Sequence, residues 1–105
     1  MARRNGYIAV TFEFHKEGRR WVGCCNELGT ATFGRSIPET EKKLKEAVLL
    51  HINTLEELGE TERFFSENSI QFHKGKPPRD VHINAPFRRE AFYKPFVQPV
   101  PAMIG

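Results

Sequence analysis

Residues 28–59, LGTATFGRSIPETEKKLKEAVLLHINTLEELG, restrict the possible folds more than any other stretch of the chain. Ser36 stands where a helix N-cap belongs, because its hydroxyl can accept a hydrogen bond from an unpaired first-turn N–H. Glu39 follows three residues later and completes a capping box. Pro38 falls in the first turn, where its missing N–H costs nothing, and Gly59 supplies a left-handed stop. Between these ends Ile37, Leu44, Ala47, Val48, Ile52, Leu55 and Leu58 recur at helical spacing on one apolar stripe. The spacing predicts a helix about 30 Å long, enough to cross a small sheet.

The segments before it have a different period. In residues 7–14, YIAVTFEF, the side chains of Ile8, Val10, Phe12 and Phe14 alternate with Tyr7, Ala9, Thr11 and Glu13, as a strand with one apolar face requires. Gly18 marks a turn, and WVGCCN reads as a second strand closing an antiparallel hairpin. ATF at 31–33 reads as a third strand, reached through a Leu28-Gly29 corner. After Gly59, ETERFFSEN predicts a short helix capped by Thr61, anchored by Phe64 and Phe65 and ended by Asn68. IQFHK at 70–74 predicts a fourth strand, and DVHIN at 80–84 a further short one. Pro86, Pro95, Pro99 and Pro101 then forbid a helix while permitting extended edge pairing. The arm they punctuate also carries Phe87, Phe92, Tyr93, Phe96, Val97, Val100, Met103 and Ile104, too much apolar surface to leave in water. The expected fold is α+β: an antiparallel sheet of three or four strands, ordered β-β-β-α, short helix, β, with one long helix packed across it. Residues 1–85 form the domain, and 86–105 an extended arm packed on the same or a neighbouring protomer.

At 105 residues the chain suffices for one small core. It contains no apolar run long enough to span a bilayer and no signal-peptide pattern at its start, which favours a cytoplasmic protein. Cys24 and Cys25 are adjacent and would form a strained disulfide with each other, so a reducing compartment suits them. The formal charge of +3 is unevenly spread. Residues 1–35 carry six basic and three acidic groups, residues 36–62 three basic and seven acidic, and residues 73–105 six basic and two acidic. The helix is thus an acidic band between two basic ends, a candidate surface for a basic partner.

The order from Tyr7 to Gly59 resembles the HicB-like antitoxin family. The resemblance rests on the alternating first strand, on Gly18, Trp21 and Val22 as G-x-x-W-V, on Glu27, Leu28 and Gly29, on the Gly34-x-Ser36 cap, and on Leu44, Glu46 and Ala47 as L-x-E-A. It covers about half the chain and implies a partial RNase H-like fold. It also implies a partner, a small toxin that cleaves mRNA and whose active surface the antitoxin covers. Many members of that family add a helical operator-binding segment at the C-terminus. Here the corresponding segment is rich in Pro and Phe, a departure that puts operator binding in doubt and fits a member without a toxin.

Catalytic and metal readings find less support. A nuclease of the RNase H type needs several carboxylates converging on two metal ions. The strands offer only Glu13, with Glu27 at a corner and Glu39 at the helix start. His15, His51, His73 and His82 with the two cysteines invite a zinc reading, but adjacent cysteines alternate across a strand and do not share a tetrahedral ion easily. His51 reads instead as a hydrogen-bonded residue at the core edge and Cys24 as a small core residue. No cofactor is called for, and the chain reads as a non-enzyme.

The candidate partner-binding residues are Tyr7, Trp21, Leu49, Leu50, Glu56 and Glu57. Tyr7 and Trp21 are placed on the face of the sheet away from Phe12, and Leu49 and Leu50 widen the helix stripe beyond what one sheet needs. Together they predict a homo-oligomer, most simply a two-fold dimer, and a protein-binding module that neutralises a basic RNase toxin or derives from one that did. Two alternatives stand beside this. One is a nucleic-acid-binding protein using Arg3, Arg4, Arg19, Arg20 and Arg35 with Lys74, Lys76, Arg79, Arg88 and Arg89. The other is a residual metal-dependent RNase H-like nuclease.

Overall fold

The computed structural model describes residues 3–75 and 90–104. The chain folds as α+β, in the order β1 (Arg3–Glu17), β2 (Arg20–Cys25), β3 (Thr30–Gly34), α1 (Ile37–Leu58), α2 (Thr61–Glu67), β4 (Phe72–Lys74) and β5 (Ala91–Ile104). All five strands belong to one antiparallel sheet. The expected strand at 80–84 and the arm's Pro86 and Phe87 lie outside the described residues, as do Lys76, Arg79, His82, Arg88 and Arg89.

Strand β1 is the spine of the molecule. At about 3.4 Å per residue its 15 residues span about 50 Å, which matches the 50 Å long axis of the protein. Strand β5 runs along one edge of β1 from Arg3 to His15, with a register shift between Arg4 and Gly6. The other edge is shared: β2 pairs with residues 12–17 and β4 with residues 6–8. The gap between them is bridged by a side chain. Both carboxylate oxygens of Glu27 accept from the Thr11 N–H, at 3.0 and 3.1 Å, where a further residue of β2 would otherwise have stood. A backbone donor in mid-sheet is thereby satisfied as β2 turns away.

The arm is therefore a fifth strand of the same sheet, beyond the three or four expected. Its prolines explain how. The two-residue Gly18-Arg19 turn makes Glu17 and Arg20 a hydrogen-bonded pair, so odd-numbered residues of β1 bond toward β2 and even-numbered ones toward β5. On β5 the even-numbered partners Phe92, Lys94, Phe96 and Gln98 thus make the ladder. Pro95 and Pro99 oppose Thr11 and Tyr7 at the alternate positions, where their missing N–H would point away from the sheet. Neither proline costs β1 a hydrogen bond, and both blunt the outer edge against further pairing.

Helix α1 has the predicted ends. Ser36 Oγ accepts from the Glu39 N–H at 3.2 Å, and Gly59 takes a left-handed φ of 67°. The capping box is only half made, because the Glu39 carboxylate pairs forward with Lys43 at 3.3 Å instead of reaching back to the Ser36 N–H. Thr40, Leu44, Val48, Ile52 and Leu55 are buried against the sheet, facing Ile8, Val10, Phe12, Phe14 and Cys25. The closest approach is at Thr40. A Cβ on Gly23 would fall 2.8 Å from its Cγ2, and one on Gly34 would fall 2.7 Å from its Oγ1, so only glycine fits beneath the helix there. Helix α2 begins differently from expectation. Glu60 is the N-cap, without a side-chain bond, and Thr61 is the buried first helical residue. Its end at Asn68 and its anchor Phe65 are as predicted, with Phe65 4% exposed.

Register settles which side chains share a face, and it corrects two expectations. Trp21 pairs with Lys16 and Cys25 with Phe12, so Trp21, Gly23 and Cys25 lie on the helix-covered face with Phe12 and Phe14. Trp21 therefore does not lie with Tyr7. Cys25, fully buried, is the core cysteine, while Cys24 pairs with Glu13 on the opposite face and is half-buried.

Candidate functional site

The six expected partner-binding residues do not form one surface. Tyr7 lies on the helix-free face of the sheet, half-buried and stacked on His73 at 5.0 Å. Trp21 packs on the covered face beside Phe92 at 5.9 Å, with the Lys16 ammonium 5.9 Å above its ring. Leu49 and Leu50 are exposed, at 44% and 67%. They do not widen the buried stripe: Leu50 follows Val48 by two residues, about 200° round the helix. Glu57 and Leu50, seven residues apart, share the outward side of α1; Glu56 and Leu49 share its flank. Leu58 adds a third apolar side chain, 68% exposed where α1 ends.

The carboxylates considered for metal chemistry are engaged separately. Glu27 holds the Thr11 N–H, Glu39 pairs with Lys43, and Glu13 accepts from Asn26 Nδ2 at 3.5 Å. Among the described residues no three His, Cys, Asp or Glu side chains are placed to hold a metal ion. His51 has the predicted core-edge role, with its Nδ1 3.3 Å from Thr30 Oγ1 and its ring edge-on to Phe64. Burial pushes the Cys25 thiol up to about 12, with the nearby Glu27 carboxylate adding to the shift, so it stays protonated and is a poor nucleophile.

A concentration of positive charge that the residue order does not display lies at the other end of α1. The hairpin turn supplies Arg19, the start of β2 Arg20, and the β3–α1 turn Arg35. With Phe33, Gly34, Glu39 and Lys43 they line a cleft of about 400 Å3. The Arg20 guanidinium sits 4.7 Å from the centre of the Phe33 ring, which is 55% exposed. Lys43 also reaches the Phe33 carbonyl at 3.3 Å. Arg3 and Arg4, by contrast, belong to the far end of β1.

These features define an antiparallel α+β domain with an apolar and acidic helix surface at one end and a basic cleft at the other. Among the described residues no helix is long and apolar enough to cross a membrane. No protein-family model matches the chain, and neither a curated protein nor a solved structure shows significant similarity to it.

Proposed function

We propose that the chain is a non-catalytic protein-binding module of the HicB-like antitoxin type, which covers a small basic RNase toxin. The observation that carries this reading is the outward side of α1. Leu49 and Leu50 are exposed there at 44% and 67% beside Glu46, Glu56 and Glu57, and Leu58, in line with the sheet-facing stripe, adds a side chain 68% exposed where the helix ends. Apolar side chains left in water inside an acidic field suit a partner that brings both apolar and cationic groups. The β-β-β-α order with a capped long helix is the second support, since the resemblance rests on those elements. A homo-oligomer using the same leucines is compatible with it, because covering them in a second copy would protect the site until a partner arrives.

Co-expression with the protein encoded by the adjacent reading frame tests the proposal. Growth should be restored by the native chain, and restored less by Leu50→Glu, which replaces the apolar contact while leaving the core intact. Toxicity that is undiminished by the native chain would end this reading, as would full rescue by a variant with all three leucines changed to glutamate.

A further inference from the structure

The basic cleft is not used by that reading, and its contents point to a ligand. Arg19, Arg20 and Arg35 come from three separate segments, yet they surround one concavity of about 400 Å3, a size that suits a small molecule or one to two units of a polymer. Their charges are not neutralised locally. Among the described residues none of the three arginines has a carboxylate partner within ion-pair distance, while Glu39 is matched by Lys43 at 3.3 Å. Four cations and one carboxylate leave the cleft strongly positive. The first turn of α1 borders it through Glu39, so the positive end of the helix dipole adds to the field. Like charges gathered at one concavity raise the local concentration of anions.

The cleft also holds Phe33, exposed at 55% with a guanidinium lying on its ring. A guanidinium laid over an aromatic ring makes a short stack whose free planar face can take a nucleobase. Arginine forks bind phosphate oxygens in pairs. We infer that this cleft binds nucleotide units, with Arg19 and Arg35 on the phosphate and Phe33 with Arg20 under the base. The ligand chemistry is a phosphate next to a planar base, supplied by a free nucleotide or by a single strand of RNA.

Fluorescence anisotropy of the full chain with a labelled oligouridylate tests this, with AMP as competitor. Binding should be detectable at about 50 mM salt and should weaken with a log–log slope near −0.7 for each phosphate engaged, so about −0.7 for the one phosphate held by Arg19 and Arg35. The double variant Arg19→Gln, Arg35→Gln should bind at least about tenfold more weakly, since two charge-assisted contacts are lost. Phe33→Ala should weaken binding several-fold with the salt slope unchanged, and Phe33→Tyr should restore it. Competition by AMP identifies the free nucleotide as sufficient; binding of the oligonucleotide without such competition identifies the single strand. No binding of either probe at low salt overturns the inference, and so does native affinity in the double arginine variant. Leu50→Glu, on the outward side of α1, should leave this binding untouched, which separates failure here from failure of the antitoxin reading.

Discussion

The contact of Thr40 with two glycines makes a quantitative prediction about how α1 is held on the sheet. Thr40 is fully buried, its hydroxyl bonding the Ser36 carbonyl at 2.7 Å. Replacing Gly23 with alanine puts a methyl 2.8 Å from Thr40 Cγ2 and 3.1 Å from the Phe14 ring. Overpacking of this kind costs about 1–3 kcal/mol. For a domain of this size that lowers Tm by about 4–8 °C for each kcal/mol. Thr40→Ser removes the offending Cγ2 and keeps the hydroxyl, itself costing about 1 kcal/mol for one buried methyl. In the double variant the new methyl occupies the vacated space, so the two costs should fall short of their sum by about 1 kcal/mol or more. Gly34→Ala is the internal control. Its Cβ would meet Thr40 Oγ1 at 2.7 Å and the Thr40 backbone nitrogen at 3.1 Å, atoms that serine retains, so Thr40→Ser should not rescue it. Urea denaturation followed by the fluorescence of Trp21, the only tryptophan, reads the same region, because Trp21 pairs with Gly34. Additivity of Gly23→Ala and Thr40→Ser within about 0.5 kcal/mol would refute the argument, as would rescue of Gly34→Ala.

Three further outcomes follow from the same structure. Glu27→Ala strands the Thr11 N–H in mid-sheet and should destabilise by about 1–3 kcal/mol, whereas Glu27→Gln, which keeps an acceptor, should lose less; urea midpoints distinguish them. The Cys25 thiol, raised from 9.0 to about 12 in the folded chain, loses its proton first in the unfolded chain. Its contribution to stability is thus complete below pH about 9 and lost as pH rises toward about 12, at about 1.4 kcal/mol per unit, a slope that Cys25→Ala should lack in denaturation series across that window. Restoring the outward N–H groups with Pro95→Val and Pro99→Val should promote association through the β5 edge, read as a concentration-dependent rise in mass by light scattering; an unchanged monomer-to-oligomer balance would show that the prolines do not guard that edge.

The long helix was legible because its start, stripe and stop are all local: Ser36, the 3.6-residue period and Gly59 act within a turn of the atoms they control. Strand β1 was legible only in its middle. Its extension to Arg3 and Glu17 depends on β5 and β2, and the partner at the far end of the chain leaves no mark on the local pattern. The face of Trp21 was within reach. Counting across the two-residue Gly18-Arg19 turn pairs Lys16 with Trp21, whereas alternation within each strand gives no relation between them. The role of Glu27 is hidden in the sequence because nothing in Glu-Leu-Gly announces that its carboxylate stands in for a strand. The basic cleft was invisible for a similar reason: Arg19 and Arg35 meet only after β2 and β3 fold back through the corner at Gly29, whose φ is 68°.

The pairing of β1 with β5 has a consequence for synthesis in the cell. Gly6 waits for Val100, which the ribosome adds 94 residues later. At ordinary elongation rates that delay is on the order of ten seconds. Throughout it the hairpin and α1 can assemble, yet one whole side of the first strand emerges without its mate. A nascent chain of this kind is exposed to stray pairing until translation nears its close, so slow codons late in the message would lengthen its most vulnerable interval.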